Sequence, residues 1–294
     1  MVYVGTIYRP PSEAKSLILQ VTVGCSQNSC TFCTMYKDKK FRVKSDEEID
    51  QVINWTKEYY EDADRIFLAD GDAIAMESKK MVSILRRLYD TFPSLKRITS
   101  YASPKSILGK TLEELKILKD AGLDMVYLGL ESGSPEVLEN IHKGVTPKHM
   151  IDAAEKIKAA GIKLSVTIIL GLGGKDLSLN HAHETAKTLN LMQPDYLGAL
   201  TLMVEPKSPL FHQVAQGEFQ ILEAPEVLEE LKTLVINLDL KNTVFRTNHA
   251  SNYYVVKGTL PEDRDLVLDQ IDKVLSTMED KGRGFLKPES YRAL

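Results

Sequence analysis

Segments of strand length and segments of helical period alternate along most of this 294-residue chain. Six apolar or alternating segments predict strands, and longer segments with apolar residues at helical spacing separate them. The predicted strands are 16–23, 65–69, 97–101, 125–130, 164–170 and 196–204. Strands joined through helices pair in parallel, because the crossover helix returns the chain to the end of the sheet where the previous strand began.

Two α/β architectures share this local pattern, and only the order of the strands separates them. We favour a partial (β/α)6 TIM-like barrel at residues 1–205 over a doubly wound sheet. Residues 206–294 are predicted to form a C-terminal α-rich extension that closes the barrel within the same structural domain. Its predicted helices are 225–238 and 262–278, around a short apolar segment at 243–245.

The ends of the predicted helices carry their own signals. Ser45 and Glu48 form a capping-box pattern that predicts the start of the first helix. Gly122 and Gly161 each follow a helical segment and suit the left-handed conformation that ends a helix. The fifth helix is predicted at 182–192, before a proline.

The composition, with 43% hydrophobic and 27% charged residues, is that of an ordinary globular protein. A net charge of −4 and the lack of a basic tract disfavour nucleic acid as a partner. The longest largely apolar run, 164–172, is shorter than the roughly 20 residues that cross a bilayer. Tyr3, Tyr8 and Arg9 stand where a signal peptide would be apolar, so we expect a cytoplasmic protein without a membrane partner.

All three cysteines, Cys25, Cys30 and Cys33, lie directly after the first predicted strand. An odd number of clustered cysteines favours a metal site over a disulfide framework. A structural zinc ion requires a fourth ligand, and none of the six histidines lies near the loop in sequence. The residues alone leave zinc, an iron–sulfur cluster and ordinary buried cysteines open.

The cysteine loop resembles that of the radical S-adenosylmethionine (radical SAM) superfamily. In that superfamily three cysteines follow strand one of a six-unit partial barrel, with an aromatic residue before the third, and Phe32 occupies that place. The usual spacing is three residues and then two, whereas this chain has the variant form C-x4-C-x2-C. The resemblance covers about residues 16–205 and is similar to the coproporphyrinogen dehydrogenase, Elongator catalytic subunit and methylthiotransferase branches.

The resemblance implies two cofactors, a 4Fe-4S cluster held by Cys25, Cys30 and Cys33, and S-adenosylmethionine bound to the open iron. It implies that Asp70 or Asp72 accepts from the ammonium of S-adenosylmethionine. A further implication is that Lys143 faces the carboxylate of the cofactor and Glu131 with Thr167 holds its ribose. The residues implied to bind the cofactor are Phe32, Asp70, Gly71, Asp72, Glu131, Ser132, Lys143, Thr167 and Gly171.

The chemistry implied by the resemblance is reductive cleavage of S-adenosylmethionine to a 5′-deoxyadenosyl radical, which abstracts hydrogen from a small-molecule substrate. An electron donor such as a flavodoxin or ferredoxin is implied as a partner. No cysteine remains for an auxiliary cluster, which argues against the sulfur-inserting methylthiotransferases. The alternative is a non-catalytic iron–sulfur or zinc carrier protein with a barrel fold.

The segment 246–254 is dense in polar recognition groups and follows an apolar run. We expect Arg246, Asn248 and His249 to reach the substrate as catalytic residues, Arg246 through an anionic group and His249 through proton transfer. The alternative is a turn-rich connection that hydrogen-bonds its own backbone. A weaker expectation concerns three residues at the predicted start of the fifth helix, His181, His183 and Glu184.

Overall fold

The computed structural model describes residues 3–293. The strands are Leu17–Gln20 (β1), Thr22–Val23 (β2), Arg42–Val43 (β3), Arg65–Ala69 (β4), Arg97–Ala102 (β5), Leu123–Glu131 (β6), Lys163–Leu170 (β7), Tyr196–Thr201 (β8), Thr243–Arg246 (β9) and Lys257–Leu260 (β10). The α-helices are Asp46–Tyr59 (α1), Ser78–Thr91 (α2), Pro104–Leu108 (α3), Leu112–Asp120 (α4), Pro135–Asn140 (α5), Pro147–Ala159 (α6), Gly174–Met192 (α7), Pro209–Gln216 (α8), Ala224–Asn237 (α9) and Arg264–Lys281 (α10).

The main sheet has the strand order β1-β4-β5-β6-β7-β8-β9-β10. Parallel pairing joins β1 to β4, β4 to β5, β5 to β6, β7 to β8 and β8 to β9. The strands follow one another in chain order, as in a barrel, whereas a doubly wound sheet reverses its order at a switch point. The predicted partial (β/α)6 TIM-like fold is therefore confirmed.

The predicted helix boundaries rest on local hydrogen bonds and backbone angles. Ser45 Oγ accepts from the backbone N–H of Glu48 at 3.2 Å, and a Glu48 side-chain oxygen accepts from the N–H of Ser45 at 2.8 Å. The capping box at the start of α1 is thus confirmed. Gly122 and Gly161 have φ values of 108° and 76°, so both helix-ending glycines adopt a positive φ as predicted.

The fifth predicted helix begins too late. It was expected at 182–192, whereas α7 begins at Gly174 directly after the glycine-rich end of β7. The first two turns of α7 present few buried apolar side chains, so hydrophobic periodicity does not mark them. His181, His183 and Glu184 consequently lie in the middle of the helix and not at its start.

The first and sixth predicted strands are shorter than expected. The segment 16–23 divides into β1, in the main sheet, and β2, which pairs antiparallel with β3 in a separate two-stranded sheet. The segment 196–204 keeps strand pairing only as far as Thr201. Both corrections concern strand ends, where apolar residues continue beyond the last residue of the paired strand.

The C-terminal extension is α-rich as predicted, and it also contributes two strands that the sequence analysis did not predict. The two predicted helices correspond to α9 and α10, but β9 joins the main sheet parallel to β8, and β10 pairs antiparallel with β9. These strands have only four residues each and include charged or glycine residues, so the alternation signal is weak. Phe245 of β9 is fully buried.

The chain divides into two compact units. The first consists of Met1–Asn28, Cys33–Leu128 and Asp152–Leu164, and the second of Ser29–Phe32, Gly129–Ile151 and Ser165–Leu294. The division at residue 205 remains a prediction. None of the described helices combines the length and the apolar character that crossing a membrane requires.

Candidate active site

The start of the cysteine loop is packed closely in the first unit. Gly24 has a φ of 77° and precedes Cys25, and the N–H of Gly71 donates to the Gly24 carbonyl at 3.1 Å. A Cβ added to Gly71 would lie 2.9 Å from the Cβ of Cys25 and 2.9 Å from Cε2 of Tyr36. A side chain at residue 71 would therefore displace Cys25 or the buried Tyr36 ring. The predicted glycine turn gives room to the first cysteine.

The middle of the loop belongs to the second unit. The N–H of Thr31 donates to the Ile141 carbonyl at 3.0 Å, and the Thr31 carbonyl accepts from the N–H of Leu210 at 3.1 Å. Phe32, the predicted aromatic residue, packs against an apolar cluster in the same unit. The cluster consists of Val137, Leu138, Ile141, Ile169, Leu172, Leu202 and Leu210. Backbone pairing and an apolar anchor thus fix the segment that contains Cys30.

The three cysteines form no disulfide within the described chain. Cys30 is buried, and Cys25 and Cys33 are partly exposed. Residues 3–293 contain no group of three His, Cys, Asp or Glu side chains suited to a single metal ion. A 4Fe-4S cluster offers a separate iron to each thiolate, so its cysteine ligands need not converge on one ion. Three thiols on one loop are a donor set that fits such a cluster.

Asp70 occupies a buried position at the end of β4. Its Oδ2 accepts from Nε2 of Gln20 at 2.8 Å, from the N–H of Gly24 at 3.0 Å and from Nζ of Lys39 at 3.1 Å. The Lys39 side chain is only 3% exposed, so the ion pair is shielded from water. Oδ1 of Asp70 is also buried and has no hydrogen-bond partner among the described residues. Because buried polar atoms are normally hydrogen-bonded, this oxygen is suited to accept a hydrogen bond from an N–H group of a ligand.

Asp72 has a different environment, because both of its oxygens are engaged. Oδ1 accepts from the N–H of Ser103 at 3.2 Å and from Oγ of Ser106 at 2.8 Å, and Oδ2 accepts from Oγ of Ser26. The carboxylate therefore ties the cysteine loop to the first turn of α3. These contacts favour Asp70 over Asp72 as the carboxylate that receives an ammonium group.

Glu131 and Lys143 are brought together as a mostly buried ion pair in the second unit. Nζ of Lys143 lies 2.9 Å from Oε1 of Glu131, and the side chains are 12% and 14% exposed. Glu131 ends β6 with a φ of 62°, and a Cβ at Gly129 would overlap its carboxylate. Thr167 is partly buried in β7 opposite Gly198 of β8. The predicted polar residues thus lie at or near strand ends.

Ser132 and His181 form a buried hydrogen-bonded pair. Oγ of Ser132 accepts from the N–H of Ser134 at 3.0 Å and lies 2.8 Å from Nδ1 of His181, to which its hydroxyl donates. Nε2 of His181 donates to the Ile169 carbonyl at 3.1 Å. Burial lowers the pKa of His181 to about 4, so the imidazole is neutral at pH 7. Ser132 and His181 therefore connect the ends of β6 and β7.

Glu230 of α9 is a buried carboxylate that the sequence analysis missed. It accepts from the N–H of Gly171 at 2.7 Å and from Oγ of Ser178 at 2.5 Å, and it lies 3.6 Å from Nε2 of His181. Burial raises the pKa of Glu230 to about 7. Gly171 has a φ of 79°, and its N–H is engaged inside the protein. A glutamate in an amphipathic helix resembles an exposed residue in sequence, so no local signal distinguishes Glu230.

The segment 246–254 is called the tail from here on. Its predicted substrate residues occupy three different environments. Nη1 of Arg246 donates to the Phe245 carbonyl at 2.7 Å and to the Gly258 carbonyl at 2.9 Å, across the β9–β10 hairpin. Asn248 is exposed. His249 is partly buried, and burial together with the charge of Lys287 lowers its pKa. Arg246 thus stabilises the hairpin, and Nδ1 of His249 accepts from the N–H of Ser251 at 3.1 Å, whereas the Asn248 side chain is exposed.

Ser251 and Asn252 fasten the tail to the end of β8. Oγ of Ser251 accepts from the N–H of Thr201 at 3.1 Å. Oδ1 of Asn252 accepts from Oγ1 of Thr201 at 2.8 Å, and its Nδ2 donates to the Ala199 carbonyl at 3.0 Å. Within 246–254, the buried residues that anchor the segment are thus Ser251 and Asn252, which the sequence analysis did not single out. The tail consequently lies at the carboxyl end of a barrel strand, where such enzymes place their chemistry.

The burial of His181 and of Glu230 predicts opposite pH dependences of stability. The Glu230 pKa is raised from 4.5, so the folded protein retains this proton and stability falls as pH rises from 4.5 to about 7. The His181 pKa is lowered from 6.5, so stability rises with pH between about 4 and 6.5. In the wild type the two effects oppose each other. Glu230→Gln leaves only the histidine, and its unfolding free energy should gain about 3 kcal/mol on the wild type between pH 4.5 and 7.

Urea unfolding of the anaerobically prepared protein across this pH range measures the difference. Glu229→Gln, an exposed neighbour on α9, is the matched control and should keep the wild-type profile. Parallel profiles for Glu230→Gln and the wild type would contradict the raised pKa.

The sequence model of the radical SAM superfamily matches residues 19–189, more than half of the chain. The heme chaperone HemW of Bacillus subtilis (strain 168) is 25% identical over 165 residues, which cover 54% of this chain and 42% of HemW. The chain thus spans less than half the length of this relative.

Solved structures with this fold include methylornithine synthase (PylB), with a TM-score of 0.54 and 16% identity over 90% of this chain and 81% of that protein. Coproporphyrinogen III oxidase (HemN) from Escherichia coli has a TM-score of 0.56 and 15% identity over 75% of this chain and 51% of HemN. At these identities the likeness shows the fold. Together with the family match, it shows that this chain belongs to the radical SAM superfamily, whose members are enzymes that use a 4Fe-4S cluster and S-adenosylmethionine.

Proposed function

We propose that the chain binds a 4Fe-4S cluster through Cys25, Cys30 and Cys33 and uses S-adenosylmethionine to abstract hydrogen from a small-molecule substrate. The observation that carries the proposal is the cysteine loop, whose start is packed against Gly71 and whose middle is anchored through Phe32. When bound, the two cofactors supply the electron transfer that breaks the sulfur–carbon bond and the radical that removes a hydrogen atom. The electron comes from a donor such as a flavodoxin or ferredoxin.

The residues of this chain bind and orient S-adenosylmethionine. Oδ1 of Asp70, buried and without a described donor, accepts an N–H from the ammonium group. Lys143 donates to the carboxylate of the cofactor while it keeps its contact with Glu131, because an ammonium group has three N–H donors. Glu131 and Thr167 receive the ribose hydroxyls. Positioning of this kind is the main contribution of a protein whose cofactor performs the difficult step.

The substrate side of the site is assigned to the tail at the end of β8. Asn248 contacts the substrate through its side-chain amide. The neutral imidazole of His249 forms a hydrogen bond with the substrate and can transfer a proton. Arg246 contributes by holding the hairpin that carries these residues. The anchoring of Ser251 and Asn252 to β8 supports the assignment, because a loop needs a fixed base to orient a substrate.

The second candidate is a carrier protein that binds its ligand without turnover. The observation that favours it is the name of one relative, HemW, which is a heme chaperone. The two candidates differ in one product. An enzyme of this class yields 5′-deoxyadenosine from S-adenosylmethionine under strong reductant, with candidate substrates or cell extract present, and a carrier does not.

The proposed function makes a first prediction of its own, which concerns metal content. Anaerobic reconstitution should load about four irons and four sulfides per chain, and air should destroy the cluster. Cys30→Ala removes one of the three thiolates and should abolish the cluster. The exposed neighbour Ser29→Ala is the control and should retain full iron content. Stoichiometric zinc in place of iron in an anaerobic preparation would contradict the proposal.

A second prediction concerns the affinity for S-adenosylmethionine. Lys143→Ala should weaken binding by roughly 1.5–3 kcal/mol, because it removes a charge-assisted contact to the cofactor. The absorption spectrum of the cluster should remain intact, which also reports that the variant is folded. Equilibrium binding to the cluster-loaded protein measures the effect, and Lys241→Ala, an exposed lysine, is the control. Equal affinities of Lys143→Ala and wild type would leave Lys143 as a structural partner of Glu131.

A third prediction concerns the tail. In Asn248→Ala and His249→Ala, substrate-dependent product from cell extract should collapse, whereas substrate-free cleavage of S-adenosylmethionine should persist. The reason is that these side chains contact the substrate and not the cofactor. Tyr254→Ala, in the same tail with an exposed ring, should behave like the wild type. If neither turnover changes, or if both vanish with the fold, the tail is structural.

A further inference from the structure

A cavity of about 860 Å³ lies within the second unit, beyond the end of β8. Three segments and Tyr253 form its walls, and the segments are 202–204 after β8, 221–224 at the start of α9, and 283–292 after α10. Its apolar walls come from Leu202, Val204, Ile221, Leu222 and Leu286. A volume of this size suits a small organic ligand, and an apolar lining with a few polar groups is typical of such sites.

Three cations and two carboxylates line the cavity, so the lining carries one excess positive charge. Arg283 pairs with Glu223 at 2.6 Å, and both side chains are more than half exposed. Arg292 pairs with Glu289 at 2.6 Å. The remaining cation is Lys287, and among residues 3–293 no carboxylate lies within ion-pair distance of its ammonium group. The excess charge is therefore located on one side chain.

Lys287 is held in place by its backbone and by one hydrogen bond. Its N–H donates to the Tyr253 carbonyl at 3.1 Å, and its Nζ donates to the Ala250 carbonyl at 3.0 Å. An ammonium group has three N–H donors, so two remain for a ligand. Ala250 directly follows His249, so this hydrogen bond places the lysine next to the residues proposed to contact the substrate.

Arg292 fixes the C-terminal wall of the cavity. Its Nε donates to the Ser251 carbonyl at 2.6 Å, its Nη2 donates to the Leu202 carbonyl at 3.0 Å, and its Nη1 donates to the Tyr253 hydroxyl at 2.6 Å. The guanidinium also stacks on the Tyr253 ring, with the central carbon 4.0 Å from the ring centroid. The side chain is only 5% exposed. The segment 283–292 is thereby fastened to β8 and to the tail, and the cavity is preorganised.

We infer that this cavity binds a small amphipathic carboxylate, with the carboxylate on Lys287 and the apolar body against Leu202, Ile221 and Leu286. One uncompensated positive charge matches a carboxylate better than a phosphate monoester, which carries nearly two negative charges at pH 7. The identification of this ligand with the substrate of the tail residues rests on the function proposed above. The binding itself does not.

The test measures binding to the cluster-loaded protein by anaerobic calorimetric titration, with octanoate and indole-3-propionate as probes. Their neutral counterparts, 1-octanol and 3-(indol-3-yl)propanol, keep the apolar body and lack the charge. At least one acid should bind saturably at one site per chain. The affinity for the corresponding alcohol should be lower by about ten-fold or more. Lys287→Met should weaken binding of the acid by about ten-fold or more, because it removes only the charge.

Two variants make the result specific. Lys287→Arg retains the charge and should keep most of the affinity, and the exposed Lys241→Met should change nothing. The inference is overturned if neither acid binds saturably, if acid and alcohol bind equally, or if Lys287→Met binds like the wild type. The titration measures binding and no turnover. If the protein binds the acid through Lys287 but does not cleave S-adenosylmethionine in the assay described above, the proposed function is contradicted and the present inference is not. Cleavage without Lys287-dependent binding would contradict only the present inference.

Discussion

The buried carboxylate of Asp70 fixes both ends of the loop that contains Cys25, Cys30 and Cys33. It accepts from Gly24, the residue before Cys25, and from Lys39, six residues after Cys33. A buried carboxylate without a cation is costly, so Asp70 and Lys39 hold each other in position, and breaking such a pair typically costs about 3–5 kcal/mol. The ion pair therefore closes the loop at its base. Because both side chains are buried, salt screens this ion pair much less than it screens a pair on the surface.

The architecture could be predicted because periodicity is a local property. Strands of five or more apolar residues and capping boxes such as Ser45 with Glu48 report their state without reference to distant residues. The start of α7 could not be predicted in this way, since its first turns are polar and rest on the glycine-rich end of β7. The four-residue strands β9 and β10 were also missed, because their pairing partner and not their composition makes them strands.

The candidate site could be predicted as a set of strand ends but not as a set of contacts. Glu131 and Lys143 were identified, and the structure brings them to 2.9 Å. The distinction between Asp70 and Asp72 was not predictable, because it depends on Ser103 and other residues far along the chain. Neither was Lys39, whose burial follows from the tertiary fold. Sequence patterns indicate where polar residues cluster, whereas the tertiary contacts determine which of their acceptor atoms remain without a hydrogen bond.

The bond between Glu230 and Gly171 has a consequence for how this protein can evolve. The glutamate belongs to the C-terminal extension, and the glycine belongs to the barrel segment that ends β7. Removing α9 would leave the Gly171 N–H and the Ser178 hydroxyl without this acceptor. The barrel is therefore not a module that can be exchanged freely between different extensions. A sequence that replaces α9 would need another acceptor for the Gly171 N–H, because a buried donor left unpaired destabilises the glycine-rich turn.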